Sequence, residues 1–361
     1  MGFYELAEKA FELERSGKKL IRLNVGDTNL PTPQCAVDAA IHSMSNSKSG
    51  YVSAAGLPKF REKIAERENC DIDNVVVGPG SKLLLYGLLT ILGKGRVAFP
   101  SPHWSAYELI CNQLDIPSEI LPTTMENNWN FDPIDFNKLK KSGVRTLIIC
   151  NPLNPTSTIY DHNLMQETLA HASEYGVNVI LDEAYRGLAF EPLPNYTSRE
   201  SVNKNVMTVR SFSKEFNMEG WRLGYAIAPK EVAKKLVKFM QISTTCVAPF
   251  VQSAGLACLE NESEILKNNK KIWFSRLEVA QSELRKAGFV FAPVQAGIYL
   301  FFFFSSINEG NADQFALSLL DQGVVVAPGS GFGNYKNFLR ICVNQHEDKL
   351  KEAIEKICAV L

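Results

Sequence analysis

Five short stretches of this 361-residue chain bring together glycine, lysine, acid, amide and hydroxyl groups that could do chemistry. They are Gly78-Pro-Gly-Ser-Lys82, Pro100-Ser-Pro-His-Trp104, Asn151-Pro-Leu-Asn-Pro-Thr156, Asp182-Glu-Ala-Tyr185 and Ser211-Phe-Ser-Lys214. Asp182 closes an apolar run broken only by Asn178, so its carboxylate is expected beside a buried sheet edge, where an acid needs a partner. Two readings suit it: an ordinary ion pair or cap, or the counter-charge of a protonated heterocyclic nitrogen. Lys214 stands just past another such run, with Arg222 eight residues further on. A single lysine is ordinarily a solvated surface group, but one at the mouth of a sheet beside a buried acid is a candidate nucleophile. Gly78 to Lys82 closes a third run and opens the apolar helix Leu83–Leu92. Free N–H groups and the helix dipole at such a start form a cradle for phosphate. The stretch is neither a P-loop nor a complete dinucleotide fingerprint, because Leu83 stands where the last glycine should be; read alone, it is a plain turn. Gly329-Ser-Gly-Phe-Gly333 is a weaker signal of the same kind.

The elements that must position these groups alternate. Val75–Val77, Arg96–Phe99, Arg145–Cys150, Val177–Leu181, Val206–Arg210 and Leu223–Ala228 read as strands, with Ser81–Leu92, Ser105–Leu114 and Asn163–Tyr175 as helices between them. Such alternation predicts an α/β fold with a mostly parallel sheet covered on both faces. Leu223–Ala228 follows its neighbour too closely for a crossover helix and is expected to run antiparallel. Ligands of open α/β sheets bind at the carboxyl ends of the strands, and five strand ends carry the five stretches. One site built from five loops explains that coincidence better than five unrelated turns. After about residue 250 the pattern changes to a polar helix over Glu262–Ala287, strands at Ile298–Phe304, Val324–Ala327 and Asn337–Val343, a helix at Ala312–Gln322 and a closing helix. This predicts a smaller α+β domain with which the N-terminal segment packs. The domains are expected to divide as 35–250 for the large one, and 1–34 with 251–361 for the small one.

Composition excludes several function classes. The net charge is −1 with both signs mixed along the chain, so no basic face is expected for nucleic acid or anionic membrane. The N-terminal segment reads as an amphipathic helix without the apolar core of a signal peptide. The longest apolar run, Ile298–Phe304, is far too short to span a bilayer. Eight cysteines are scattered without a CxxC pair and histidine is rare, so reduced thiols, a cytoplasmic location and no metal site are expected.

Ser211-Phe-Ser-Lys214 followed by Gly220-Trp-Arg222-Leu-Gly224 resembles the SxSK…GxRxG signature of fold-type I pyridoxal-phosphate (PLP) enzymes, the class I/II aminotransferases. The other stretches match that family in order and spacing, from Leu23-Asn-Val-Gly26 to Phe338-Leu-Arg340, so the resemblance covers essentially the whole chain. It implies a large domain around a mostly parallel seven-stranded sheet and an amino-group transfer from an L-amino acid to a 2-oxo acid by a ping-pong route. Lys214 would hold PLP as a Schiff base and later move the substrate's proton. Asp182 would pair with the pyridinium nitrogen, while Tyr185 and Asn154 would hydrogen-bond the phenolic oxygen. Trp104 would stack on the ring. Gly80, Ser81 and Lys82, with Ser211 and Arg222, would hold the phosphate. Tyr51 would reach the cofactor of a neighbouring subunit, which implies a homodimer with shared sites. Arg340 would clamp the substrate α-carboxylate, and Gly26, Trp104 and Asn154 would border the substrate.

The chain departs from the family's pattern twice. Ser157 replaces the glycine of NPTG, and the middle of Gly26-Asp-Thr-Asn-Leu-Pro-Thr-Pro33 differs, near the pocket that selects the side chain in relatives. Aspartate, aromatic and broad neutral specificity therefore stay open. Two other outcomes compete with transamination. One is a PLP-dependent lyase or decarboxylase, such as a C–S lyase or a threonine-phosphate decarboxylase, and the other is a non-catalytic binding or regulatory protein of the same fold.

Overall fold

A computed structural model describes residues 3–46, 50–93, 95–199, 205–304 and 312–359. Met1 and Gly2 of the expected N-terminal helix lie outside them; the helix itself runs Phe3–Arg15. Among the described residues twelve strands follow in chain order: β1 Ile21–Arg22, β2 Val75–Gly78, β3 Arg96–Ser101, β4 Ser118–Pro122, β5 Val144–Cys150, β6 Asn178–Asp182, β7 Val206–Ser211, β8 Gly224–Ile227, β9 Tyr299–Phe303, β10 Val324–Val325, β11 Ala327–Pro328 and β12 Phe338–Cys342.

Seven strands form one sheet in the order β2-β8-β7-β6-β5-β3-β4. All its pairs are parallel except those of β8, which runs antiparallel to both β2 and β7. Both faces are covered, as the alternation of β2 shows: Val76 enters the core cluster with Leu84, Leu88 and Leu236, while Val75 and Val77 enter another with Phe60, Phe212 and Val251. This sheet and its helices match the fold that the resemblance implied. One member went unread in the sequence. Ser-Glu-Ile-Leu-Pro of β4 is an edge strand whose residues are half-buried or exposed, so it has no apolar run to announce it.

The C-terminal part carries a three-stranded antiparallel sheet, β11-β12-β9, and β10 pairs in parallel with β1. The expected strand over Val324–Ala327 is thus divided between two sheets. Leu6, Ala10 and Leu23 share one core cluster with Trp273, Leu300, Ile341 and Ile354, so the N-terminal segment does pack on the C-terminal part. The helix Pro249–Glu260, by contrast, packs mainly on the helix Gln34–Asn46 beside the large sheet.

The antiparallel β8 matters for function. Its start, not its end, lies at the edge where β2 and β7 finish, with Gly224 opposite both Gly78 and Ser211. Arg222 is thereby delivered to the same edge as the carboxyl ends of the parallel strands. Gly224 has no room for a side chain: a Cβ there would lie 2.6 Å from the Arg210 carbonyl oxygen and 2.9 Å from the Ser81 nitrogen. Backbone cannot yield as a flexible side chain can, so Gly224→Ala is expected to cost about 1–3 kcal/mol of stability. Urea unfolding of the variant measures it, and an unchanged midpoint would remove this constraint.

Candidate active site

The carboxyl edge of the large sheet opens into a cleft of about 310 Å³ whose floor comes from β5, β6 and β7 and whose far wall comes from β9 and β12. Eleven of the thirteen residues singled out above line it: Gly26, Ser81, Lys82, Trp104, Asn154, Asp182, Tyr185, Ser211, Lys214, Arg222 and Arg340. Gly80 stands directly behind Arg222, where a Cβ would come within 2.5 Å of Nη2. Tyr51 is outside the cleft and 88% exposed.

At one end, Gly80 adopts φ +85° and caps the helix Ser81–Leu92 without any side-chain cap, so the first N–H groups of the helix face the cleft. Arg222, itself in the left-handed region at φ +55°, donates from Nη1 to the Glu219 carbonyl at 2.7 Å. Ser211 caps the one-turn helix Phe212–Glu215 by accepting from the Ser213 N–H, which fixes the turn carrying Lys214. The Lys214 ammonium lies 3.4 Å from Glu219 Oε1 and 3.8 Å from Asp27 Oδ1. Glu219 also accepts from the Thr28 N–H at 2.7 Å, tying the loop after β1 to the lysine.

Asp182 is fully buried, and burial pushes its carboxyl up to about 6 against the opposing pull of hydrogen bonds from the Tyr107 hydroxyl and the Ala184 N–H. Tyr107 Oη donates to Oδ2 at 2.8 Å. Among the described residues no lysine, arginine or histidine pairs with Asp182. Its neighbour Glu183 pairs instead with Arg210 Nε at 2.9 Å, and Arg210 Nη2 reaches Glu68 Oε2 at 2.9 Å. Arg67 extends this chain to Glu215, the residue after Lys214, at 2.9 Å. Burial works against the Glu68 charge, but Arg210 and Arg67 outweigh it and hold that carboxyl below its ordinary range.

The far wall holds Arg340 on β12. Its Nη1 donates to Asn154 Oδ1 at 3.1 Å, its Nη2 donates to the Asn24 carbonyl, and its guanidinium lies between the rings of Tyr299 at 4.3 Å and Phe332 at 4.6 Å. Tyr185 shares a hydroxyl–hydroxyl bond of 2.8 Å with Tyr299. Tyr107, Tyr299, Phe332, Asp27 and Glu219 escaped the sequence reading: aromatic or acidic residues inside ordinary elements carry no spacing signal. Ser157, the departure from NPTG, keeps a glycine-like backbone at φ +58° and uses its hydroxyl to accept the Tyr299 N–H at 3.2 Å. Ser157 thus occupies the left-handed region that favours glycine.

The cleft fits pyridoxal phosphate. It offers a capless helix start and a guanidinium for a phosphate, a buried acid lacking a cation for a ring nitrogen, and an amine for an aldehyde. Fold and cleft together define the class already implied by the signature around Lys214, a PLP enzyme with the large-sheet architecture. The family model for aminotransferase class I and II matches residues 18–357. An aspartate aminotransferase of Thermococcus kodakarensis is 35% identical over 323 residues, covering 90% of this chain and 84% of its own. A probable aspartate/prephenate aminotransferase of Aquifex aeolicus is 30% identical over 371 residues, covering 98% of this chain and 93% of its own. A solved single mutant of Thermus thermophilus aspartate aminotransferase superposes with a TM-score of 0.92 at 26% identity, covering 100% of this chain and 97% of its own. The chain belongs to the class I and II aminotransferases. It is a PLP-dependent transferase that moves an amino group between amino acids and 2-oxo acids.

The buried acid has a thermodynamic signature. The folded value of Asp182 lies above its ordinary 3.8, so the fold favours the protonated form. Stability contributed by this group is present below the lower value and is lost as pH rises through the window up to about 6, by up to about 3 kcal/mol. Cofactor-free Asp182→Asn is therefore expected to melt above cofactor-free wild type at about pH 8, with the difference closing at about pH 4. Parallel melting curves across the window would contradict the assignment.

Proposed function

We propose that this aminotransferase acts on acidic amino acids and their 2-oxo acids, with Lys82 receiving the side-chain carboxylate. The observation carrying this reading is the state of Lys82. Its Nζ lies 4.8 Å over the Trp104 ring, and among the described residues it has no carboxylate or hydrogen-bond partner. Burial and then Arg222 lower its pKa, a cost to the ammonium that an anion brought beside it would relieve. The resemblance put Lys82 among the phosphate-holding residues; in the present reading the N–H groups of the helix start with Arg222 and Ser211 would hold the phosphate, which would leave the ammonium for a second anion. Relatives named aspartate aminotransferase, and the Thermus enzyme solved with the dicarboxylate maleate, are consistent with such a guest.

The remaining roles follow from what each group can do. Arg340, preorganised by Asn154 and Asn24, would take the α-carboxylate through its fork. PLP, when bound, supplies an electron sink and carries the amino group between the two half-reactions. Lys214 would hold it covalently and, once freed, take the proton from the substrate Cα. Asp182 would keep the ring nitrogen protonated, Tyr185 and Asn154 would contact the phenolic oxygen, and Trp104 would cover the ring. Glu219 and Asp27 would orient the Lys214 amine. The high exposure of Tyr51 is what a residue serving a neighbouring subunit requires, and it supports a homodimer with shared sites. All eight cysteines are free, and among the described residues no helix is long and apolar enough to cross a membrane, which supports the cytoplasmic reading. The division into 35–250 and 1–34 with 251–361 is also proposed, amended at one boundary: it is moved to about residue 260, because the helix Pro249–Glu260 packs on the helix Gln34–Asn46 of the large part.

Lys214→Ala is expected to abolish turnover and the absorption band of the covalently held cofactor, while a variant with normal turnover would sink the assignment. Lys82→Met is expected to raise KM for aspartate by about 10-fold or more, the size of one lost charge-assisted contact, and to leave neutral amino acids and cofactor affinity nearly unchanged. If cofactor affinity falls instead, Lys82 serves the phosphate. With acceptor omitted, a lyase or decarboxylase would release pyruvate, ammonia or carbon dioxide; stoichiometric conversion of donor to one 2-oxo acid is expected.

A further inference from the structure

Tyr185 and Tyr299 are both buried, and their hydroxyls meet at 2.8 Å. Two hydroxyls have two protons, and a single bond between them uses only one. If Tyr185 donates, its proton is consumed in the wall of the cleft; if Tyr299 donates, the Tyr185 proton is left to point into the cleft. Arg340 biases the choice. Its guanidinium lies 4.3 Å from the Tyr299 ring centroid, and a cation over a phenol ring withdraws density and strengthens the hydroxyl as a donor.

We propose that Tyr299 is a positioning residue that donates to Tyr185, turns the Tyr185 proton into the cleft and links it to the Arg340 carboxylate clamp. This rests on the proposed roles of Tyr185 and Arg340 but goes beyond them, since it has Tyr299 act through those two residues.

Three segments distant in sequence hold the Tyr299 hydroxyl in place. A Cβ on Gly26 would fall 1.8 Å from it, so that glycine leaves the space the hydroxyl occupies. Ser157 Oγ accepts the Tyr299 N–H at 3.2 Å, anchoring the start of β9. β12 lies antiparallel to β9, with Cys342 opposite Tyr299 and Arg340 opposite Phe301, which carries the guanidinium onto the ring. The titratable and charged groups facing Tyr299 are Arg340 and Cys342 from β12, Tyr185 after β6 and Asp27 after β1. Burial pushes the Tyr299 hydroxyl up, and Arg340 is the largest opposing influence. A donor held by another donor is a stronger one, because hydrogen bonds in a chain polarise each other.

The test is a pH titration of the holoenzyme's absorption without substrate, in wild type, Tyr299→Phe, Tyr185→Phe and the double variant. A hydrogen bond to the cofactor's phenolic oxygen stabilises the extra negative charge on that oxygen in the proton-depleted chromophore, so losing it raises the midpoint. Tyr299→Phe is expected to raise the midpoint by about 0.5–1 pH unit, the change made by one hydrogen bond of ordinary net strength. Tyr185→Phe is expected to raise it further, and the double variant to match Tyr185→Phe alone. Gly26→Ala, whose methyl would displace the Tyr299 hydroxyl, is expected to reproduce the Tyr299→Phe shift. An unmoved midpoint in Tyr299→Phe beside a moved one in Tyr185→Phe would reduce Tyr299 to packing, as would additive shifts in the double variant. An unmoved midpoint in Tyr185→Phe itself would overturn the role of Tyr185 on which the inference stands.

Discussion

Arg210 is the tie beneath the chemistry. At 2% side-chain exposure it pairs with Glu183 and Glu68, and Arg67 carries the network on to Glu215 and Glu262. Glu183 follows Asp182 and Glu215 follows Lys214, so the two groups at the centre of the proposed mechanism are each one residue from a buried ion pair. Such pairs do little for net stability, because desolvation offsets much of the attraction. What they provide is register: removing one partner would strand a charge, so the loops after β6 and β7 are held in a single arrangement. Glu215 adds to this by accepting the Gly187 N–H at 2.7 Å, fixing the backbone just beyond Tyr185.

A second constraint joins the C-terminal sheet to this platform. Tyr185 and Leu188, on the loop after β6, belong to the core cluster of β9 and β12 rather than to that of the large sheet. Phe301 and Phe338 stack at 4.9 Å, and both pack against Trp129, which comes from the loop between β4 and β5. The proposed carboxylate clamp therefore rests on aromatic packing between the C-terminal sheet and the large sheet, while the proposed anion cradle rests on backbone approach within the large sheet. The electrostatics follow the same division. Asp182 is buried without a cation among the described residues, whereas the Arg340 Nη1 and Nη2 groups are already held by an amide oxygen and a carbonyl, which would preorganise it for the carboxylate proposed above.

Much of this was legible in the chain. The apolar runs of β2, β3, β5, β6 and β7 are buried on both faces and announce themselves, and the short connection before β8 foretold its antiparallel direction. The polar ends of those strands located the cleft, because a parallel sheet places all its carboxyl ends at one edge. The half-exposed β4 and the split of Val324–Ala327 were not legible, since neither has a periodic pattern of its own.

Asp182 and Lys214, with Arg222 nearby, could be picked out because charged residues at the ends of apolar runs break the pattern of a buried strand, whereas Arg340, in the middle of β12, was singled out only by the resemblance. Tyr107 and Tyr299 could not be picked out. A tyrosine in a helix or a strand is unremarkable in sequence, and only tertiary packing aims the first at Asp182 and sets the second between Gly26, Ser157, Tyr185 and Arg340. Ser157 makes the same point in reverse. The sequence shows a missing glycine, and only the fold shows that the serine sits in the left-handed region favoured by glycine while its hydroxyl takes up a strand N–H. The chain by itself determined the elements and several of the reactive groups, since burial periodicity and a charge that interrupts it are local properties. Which hydroxyl meets which, and which cation is left without a partner, was decided by three-dimensional contacts between segments more than a hundred residues apart, on which local sequence carries no information.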